Sequence, residues 1–443
     1  MRASSKAAGL LLAFLAFGLW FCQGAAPAVA PGPDTELIVK FRDHASQPSL
    51  QSPAVAGIYA AKSMRSDSRY KLVRAASPGQ VADLKKKLAA DPDVEYVEKN
   101  QTARALFTPD DPYFINGAQW NLKQVKAPAA WDIDPGAGDG VIVAVLDTGV
   151  AYEDYTDSKH TYRRMPDLSP ATFVPGWDFV NNDSHPNDDH GHGTHVAGVI
   201  AQATNNGYGA AGLAYGARIM PVKVLDESGV GSEFDIAWGI RWAADRGAKV
   251  INLSLGFEHP SRAIKDAIYY ARHVKGVTVV AAAGNSADPS EYPDYKGGLM
   301  YPARYSSVIG VGATRYGRKR TGYSQYGRAL DLVAPGGEMR PGLDRNGDGY
   351  PDGIVQETIK QPDWGFGILI DPSRYYFYWA EGTSVAAPHV AAAAAMVIAG
   401  GITGPADVYR ALTRSATDLG HKGRDSRYGY GLLNVAAALR WRP

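Results

Sequence analysis

Apolar positions along this chain fall into short runs separated by longer mixed stretches. Residues 141–146, 219–225, 250–255, 277–283 and 308–311 are mostly apolar and rich in β-branched side chains. A strand covered on both faces has no polar side to show, so these runs predict buried strands of a parallel sheet. Residues 233–244 and 262–273, lying between them, read as helices. Strand and helix in alternation predict one α/β domain with a central, mainly parallel sheet flanked by helices. No internal repeat is visible.

The N-terminal quarter reads differently. Residues 35–41 alternate like a half-buried strand. Residues 80–89, with three consecutive lysines, predict a surface helix, broken at Asp91-Pro92-Asp93 and followed by a second strand over 94–98. A small α+β domain over 31–105 is therefore expected, entered through a Pro-rich joint at 26–33. A break at Thr108-Pro109-Asp110-Asp111-Pro112 leads into the larger domain, 107–443. Within it, 336–379 is a long stretch of Gly, Pro, Asp and Tyr with little periodicity. A connection of that length in a compact domain is either functional or structured by something else.

Arg2 and Lys6 precede an apolar run over 7–21, too short for a comfortable membrane span, and small residues follow. That order predicts a signal peptide over about 1–26, with its end between 24 and 30, and hence a secreted or extracytoplasmic protein. An uncleaved anchor and a lipid-modified Cys22 are the alternatives; the large Phe21 before Cys22 argues against the second. Cys22 is the sole cysteine, so removal of the leader excludes both disulfides and a thiol nucleophile from the mature chain. Charge is balanced, 46 basic against 45 acidic residues, which predicts neither nucleic-acid nor membrane partners.

Three motifs carry chemistry. The run 143–149 ends an apolar strand in Asp147-Thr148-Gly149, which places a carboxylate at the carboxyl edge of the sheet, where open α/β folds build sites. Taken alone, it reads better as a strand-ending Asp in a glycine turn. An aspartic protease needs a second carboxylate sharing a proton, and there is no second Asp-Thr-Gly. The second motif, His190-Gly191-His192-Gly193-Thr194-His195, invites a metal reading, but it has Thr194 where a metallo-hydrolase pattern wants Asp. The third, Gly382-Thr383-Ser384 before an alanine-rich run, delivers a serine to a helix start, where unpaired amides and the positive helix end favour an anion. By itself it is also a good helix cap.

In the order Asp, His, Ser, these motifs resemble the subtilases, the subtilisin-like serine proteases, from about 111 to 439. The resemblance implies a subtilisin-like three-layer fold preceded by a propeptide domain at 31–105 that inhibits the enzyme until it cuts itself free. It implies Ser384 as nucleophile, His192 as base, Asp147 as its orienter and Asn285 as an oxyanion donor. It places substrate backbone against Gly229-Val230-Gly231 and Ser254-Leu255-Gly256, and a pocket wall at Ala282-Ala283-Gly284. Met300 falls where the family often has a small residue, which would shorten that pocket. Val385 replaces a methionine common in the family, removing an oxidisable sulfur.

Structural calcium is implied at Asp111, Asp167 and Asn206, without any organic cofactor. A second ion is considered at Asp344, Asn346, Asp348 and Asp352, which resemble the start of an EF-hand loop, although Val355 stands at position twelve instead of Glu. Partners are then protein or peptide substrates and the chain's own propeptide, and a monomer is expected. The competing readings are a non-catalytic peptide-binding relative and a metal-dependent hydrolase.

Overall fold

The computed structural model describes residues 35–43, 59–64, 66–75, 77–101, 107–169, 172–295, 297–340, 342–359 and 371–443. The expected leader with Cys22 and the joint at 26–33 lie outside the described residues. The chain divides into two compact units, Met1–Ala105 and Leu106–Pro443. Among the described residues no helix is long and apolar enough to cross a membrane.

The first unit is a four-stranded antiparallel sheet carrying one helix. Its strands are β1 (Glu36–Phe41), β2 (Tyr59–Ser63), β3 (Tyr70–Arg74) and β4 (Val94–Lys99), in the order β2-β3-β1-β4. Helix α1 (Val81–Ala89) buries Val81, Leu84 and Leu88, spaced for one helix face, against Leu37, Val39 and Phe41, spaced for one sheet face. Its lysines take the opposite, exposed side. The middle strands β2 and β3 had no clear signal in the sequence.

In the second unit, seven strands form one sheet: β5 (Ile142–Asp147), β6 (Trp177–Asp178), β7 (Arg218–Lys223), β8 (Val250–Leu253), β9 (Thr278–Ala282), β10 (Ile309–Thr314) and β11 (Leu332–Pro335). Their order is β11-β10-β9-β8-β5-β7-β6, and every pairing is parallel. Alternate residues of a strand serve opposite cores. Val143 and Val145 pack with α2 (His192–Ala201), α5 (Thr383–Ala399), α6 (Pro405–Arg414) and α7 (Val435–Arg440). Ala144 and Leu146 pack on the other face, with α3 (Glu233–Asp245) and α4 (Arg262–Tyr269). The result is the expected three-layer α/β fold. Helix α5 is alanine-rich and buried nearly all round, as suits a helix hydrophobic on every side.

Two expectations need adjustment. The helix expected over 262–273 is α-helical only to Tyr269 and finishes as a π-turn, Tyr270–Val274. The aperiodic stretch 336–379 contains an antiparallel hairpin, β12 (Ile354–Ile359) with β13 (Tyr375–Ala380). It lacks an alternating pattern because all of β12 is buried, including Gln356, Glu357 and Thr358. Those polar groups find partners far away in sequence, as when Glu357 accepts from the Asp167 N–H at 2.9 Å.

Candidate active site

Asp147 is the last residue of β5 and is fully buried. Its Oδ1 accepts from the Thr148 N–H at 2.8 Å and from His192 Nδ1 at 2.6 Å. A carboxylate only accepts, so the imidazole proton sits on Nδ1 and Nε2 keeps a free lone pair. His192 opens α2, and the close approach of that helix to the strand end depends on Gly193. A methyl group there would stand 2.1 Å from the Gly149 carbonyl oxygen and 3.0 Å from Asp147 Cβ. Burial pushes the His192 pKa down, but the neighbouring Asp147 and Asp188 carboxylates outweigh it, and the net shift is upward.

Asp188, which sequence reasoning passed over, organises the turn before His192. Its Oδ1 accepts from Thr148 Oγ1 at 2.8 Å and from the N–H groups of His190 and Gly191 at 3.0 and 2.9 Å. Its Oδ2 accepts from both the N–H and the hydroxyl of Thr194. Alongside, buried Lys223, in register with Asp147, donates to the Thr148 carbonyl at 2.7 Å and to Asp189 at 2.6 Å. Burial raises the Asp189 pKa to about 6 even against that lysine. The acidic pair Asp188-Asp189 directly before the histidine motif was the available signal.

Ser384 is the second residue of α5, where a backbone N–H has no carbonyl four residues back to bond. Asn285 lies three residues beyond β9. Its Oδ1 accepts from the Thr383 N–H at 2.9 Å and from Thr383 Oγ1 at 2.8 Å. A backbone N–H is an obligatory donor, so the amide oxygen must face Thr383 and Nδ2 turns away from it. Gly382 shows where it turns: a methyl group on that residue would meet Ser384 Oγ at 3.0 Å and Asn285 Nδ2 at 3.3 Å. One small volume thus sees both a hydroxyl and an amide donor. Ser254 plays a part the sequence did not show. Its hydroxyl donates to the Ser384 carbonyl at 2.6 Å and accepts from Asn252 Nδ2 at 2.9 Å, so its side chain fixes the serine's backbone.

The three histidines do not converge on one point. His192 faces Asp147, while His195 Nε2 faces the Ile354 carbonyl at 3.0 Å, and burial holds the His195 pKa near 4. His190 Nδ1 accepts from the His192 N–H at 3.3 Å. Among the described residues no three His, Cys, Asp or Glu groups form a metal-ligand set.

The segments 254–256 and 282–284 lie at the ends of neighbouring strands β8 and β9, and each is hydrogen-bonded to the serine turn. Ser254 bonds Ser384, and the Gly284 N–H bonds Thr383 Oγ1 at 3.1 Å. Met300 lies across the slot between them. A methyl on Gly256 would be 3.3 Å from its Sδ, and one on Gly284 would be 2.7 Å from its Cγ. Residues 229–231 form an exposed turn in which Val230 bonds Asp226 through both its N–H and its carbonyl.

Asp111 and Asp167 are fully buried and are linked by the 205–206 turn. Asp111 Oδ2 accepts from the Asn205 N–H at 2.8 Å, and Asp167 Oδ1 accepts from Asn206 Nδ2 at 2.8 Å. Asp111 Oδ1 is buried without a partner. In the other acidic loop, Asp344 and Asp348 accept from nearby backbone N–H groups, and Asn346 donates to Asp348 at 2.6 Å. Asp352 is instead turned on the Arg345 guanidinium at 3.2 Å, apart from that arrangement.

Comparison with known proteins gives the family. The Subtilase family model matches residues 138–431. Thermitase of Thermoactinomyces vulgaris is 36% identical over 335 residues, covering 76% of this chain and 100% of that protein. Subtilisin Savinase of Lederbergia lenta is 39% identical over 325 residues, covering 72% and 98%. A thermophilic serine proteinase of Bacillus sp. (strain AK1) is 34% identical over 408 residues, 92% of this chain and 87% of its own length. A solved protease structure from Pseudoalteromonas arctica superposes with a TM-score of 0.61 at 32% identity, over 75% of this chain and 99% of its own. The chain belongs to the subtilase family of subtilisin-like serine endopeptidases.

Proposed function

We propose that this enzyme is secreted as a zymogen and hydrolyses extended protein substrates through an acyl-enzyme formed on Ser384. Two observations carry the reading together: the 2.6 Å Asp147–His192 contact, and the volume shared by Ser384 Oγ and Asn285 Nδ2. Ser384 Oγ attacks the scissile carbonyl carbon as His192 Nε2 takes its proton, and Asp147 stabilises the imidazolium. The resulting oxyanion lies between Asn285 Nδ2 and the Ser384 N–H. His192 then protonates the leaving amine, and water activated by the same nitrogen releases the acid. Casein hydrolysis by wild type and Ser384→Ala decides between this reading and a non-catalytic peptide binder. The unit at 31–105 is read as the propeptide and the mature enzyme as a monomer.

Met300 suggests which substrates are cut. It lies against Gly256 and Gly284, the segments read as lining the substrate pocket, so the side chain preceding the scissile bond should be small. Peptides differing only at that residue should be cleaved with Ala well above Phe. Met300→Gly should raise kcat/KM for Phe about 10- to 100-fold relative to Ala. Wild type preferring Phe would refute the pocket reading while leaving the chemistry intact.

Calcium is read at Asp111, Asp167 and Asn206. The donor set fits: hard oxygen ligands from separate segments, one of them buried without a partner. Burial pushes both carboxyl pKa values up, that of Asp167 to about 7, as expected for acids that a cation would relieve. Chelation should lower Tm by roughly 5 °C or more, and Asp111→Ala should abolish that response. A Tm indifferent to chelator would remove the ion.

A further inference from the structure

Helix α2 begins without a side-chain cap of its own. Its N-cap is Gly191, at φ 99°, which has no side chain to satisfy the first turn. Helix ends left so are held from outside or fray, and here the first helical residue is His192. Asp188 holds the amide side of the turn through Gly191 and Thr194. The Gly191 carbonyl accepts the first intrahelical bond, from the His195 N–H at 3.2 Å, and a second from a distant strand, where buried Thr358 Oγ1 of β12 donates to it.

The same strand grips α2 further along. The Ile354 carbonyl faces His195 Nε2 at 3.0 Å, and the Glu357 N–H donates to Gln202 Oε1 at 3.3 Å. Gly198 admits the strand, since a methyl there would stand 3.3 Å from Gln356 Cβ. The hairpin also reaches the serine. Ile354 shares a buried cluster with Val199 of α2, with Trp120 and with Val385, which follows Ser384, and Ala380 packs against it. Strand β13 ends at Ala380, four residues before Ser384. One hairpin is thus hydrogen-bonded to the helix bearing the imidazole and continuous with the turn bearing the hydroxyl.

We propose that the β12–β13 hairpin sets the separation of His192 and Ser384, with Thr358 as the positioning residue that acts on His192 through the Gly191 carbonyl. Proton transfer tolerates little error in that separation, and about 1 Å of misplacement costs on the order of 100-fold in rate. Thr358 touches neither substrate nor the reacting atoms, so its loss should slow the chemical step and leave binding alone. The inference rests on the roles proposed above for Ser384 and His192.

The test compares wild type, Thr358→Val, Thr358→Ser and Ser384→Ala on one peptide substrate, with melting curves for each. Val keeps the shape and removes the hydroxyl. Thr358→Val should lower kcat about 10- to 100-fold with KM within twofold, and Thr358→Ser should recover most of the loss. A kcat for Thr358→Val within twofold of wild type would overturn the proposal. So would a loss that Ser does not restore, or one carried by KM. Should Thr358→Val fail to fold, Thr358→Ala against Thr358→Ser reads the same hydroxyl. Activity surviving in Ser384→Ala would instead sink the underlying assignment, and this proposal with it.

Discussion

Ser384→Ala is expected to lower kcat toward casein by about a million-fold, the scale seen in subtilisin, a relative, when its nucleophile is removed. The alanine deletes only Oγ. Helix α5 starts at Thr383 and is anchored by Thr383, Asn285 and Ser254, none of which bonds that hydroxyl. The catalytic fold should therefore be retained, so activity still absent after an added protease has removed the 31–105 unit reports chemistry. The residual rate over water should come from Asn285 and from substrate binding. The same variant tests self-processing. If the 31–105 unit is removed by the enzyme's own site, Ser384→Ala stays full length when made apart from other proteases. Normal trimming of the pure variant would exclude autoprocessing, and undiminished casein cleavage would exclude Ser384 as nucleophile.

Asp147→Asn should cost about 10³- to 10⁴-fold in kcat. Asp147 Oδ1 serves both the Thr148 N–H and His192 Nδ1, while Oδ2 is buried without a partner. An asparagine keeping its oxygen in place buries an NH₂ with nothing to accept from it. One turned the other way abandons Thr148 and points a donor at Nδ1. Neither stabilises an imidazolium. The pH profile should move as well. Catalysis needs neutral His192, so activity falls as pH drops through its pKa. That pKa is raised in the native site because Asp147 and Asp188 outweigh burial. Without the Asp147 charge, burial gains weight and the pKa falls, so the acid limb of the residual activity should shift to lower pH. An unmoved limb, or activity above a tenth of wild type, would contradict the assigned role.

Much of this was legible along the chain. The five apolar runs became β5, β7, β8, β9 and β10, because covering on both faces leaves a composition that a reader of sequence can see. The two helices read at 233–244 and 262–273 were legible in the same way, apart from the π-turn that ends the second, and each starts at a local cap: Ser232 accepts from the Asp235 N–H and Ser261 from the Ile264 N–H. Hairpin β12–β13 was not legible, since its polar residues are matched by partners about 150 or more positions away. Ser254 was assigned to substrate from its motif, and nothing local revealed that its hydroxyl would meet the Ser384 carbonyl.

The sequence by itself determined the parts: a strand ending in Asp147, a three-histidine motif around His192, a serine at the head of an alanine-rich helix, and their order. Each is written in the residue pattern within about a dozen positions, which is there to be read whatever the rest of the chain does. Only the tertiary structure decided that they meet. Strands β8, β5 and β7 had to become neighbours for Ser254, Asp147 and Lys223 to share one edge. Gly193 had to let α2 approach Asp147, and β12 had to lie along α2. These contacts join residues that are distant in sequence, and packing of the two cores selects them.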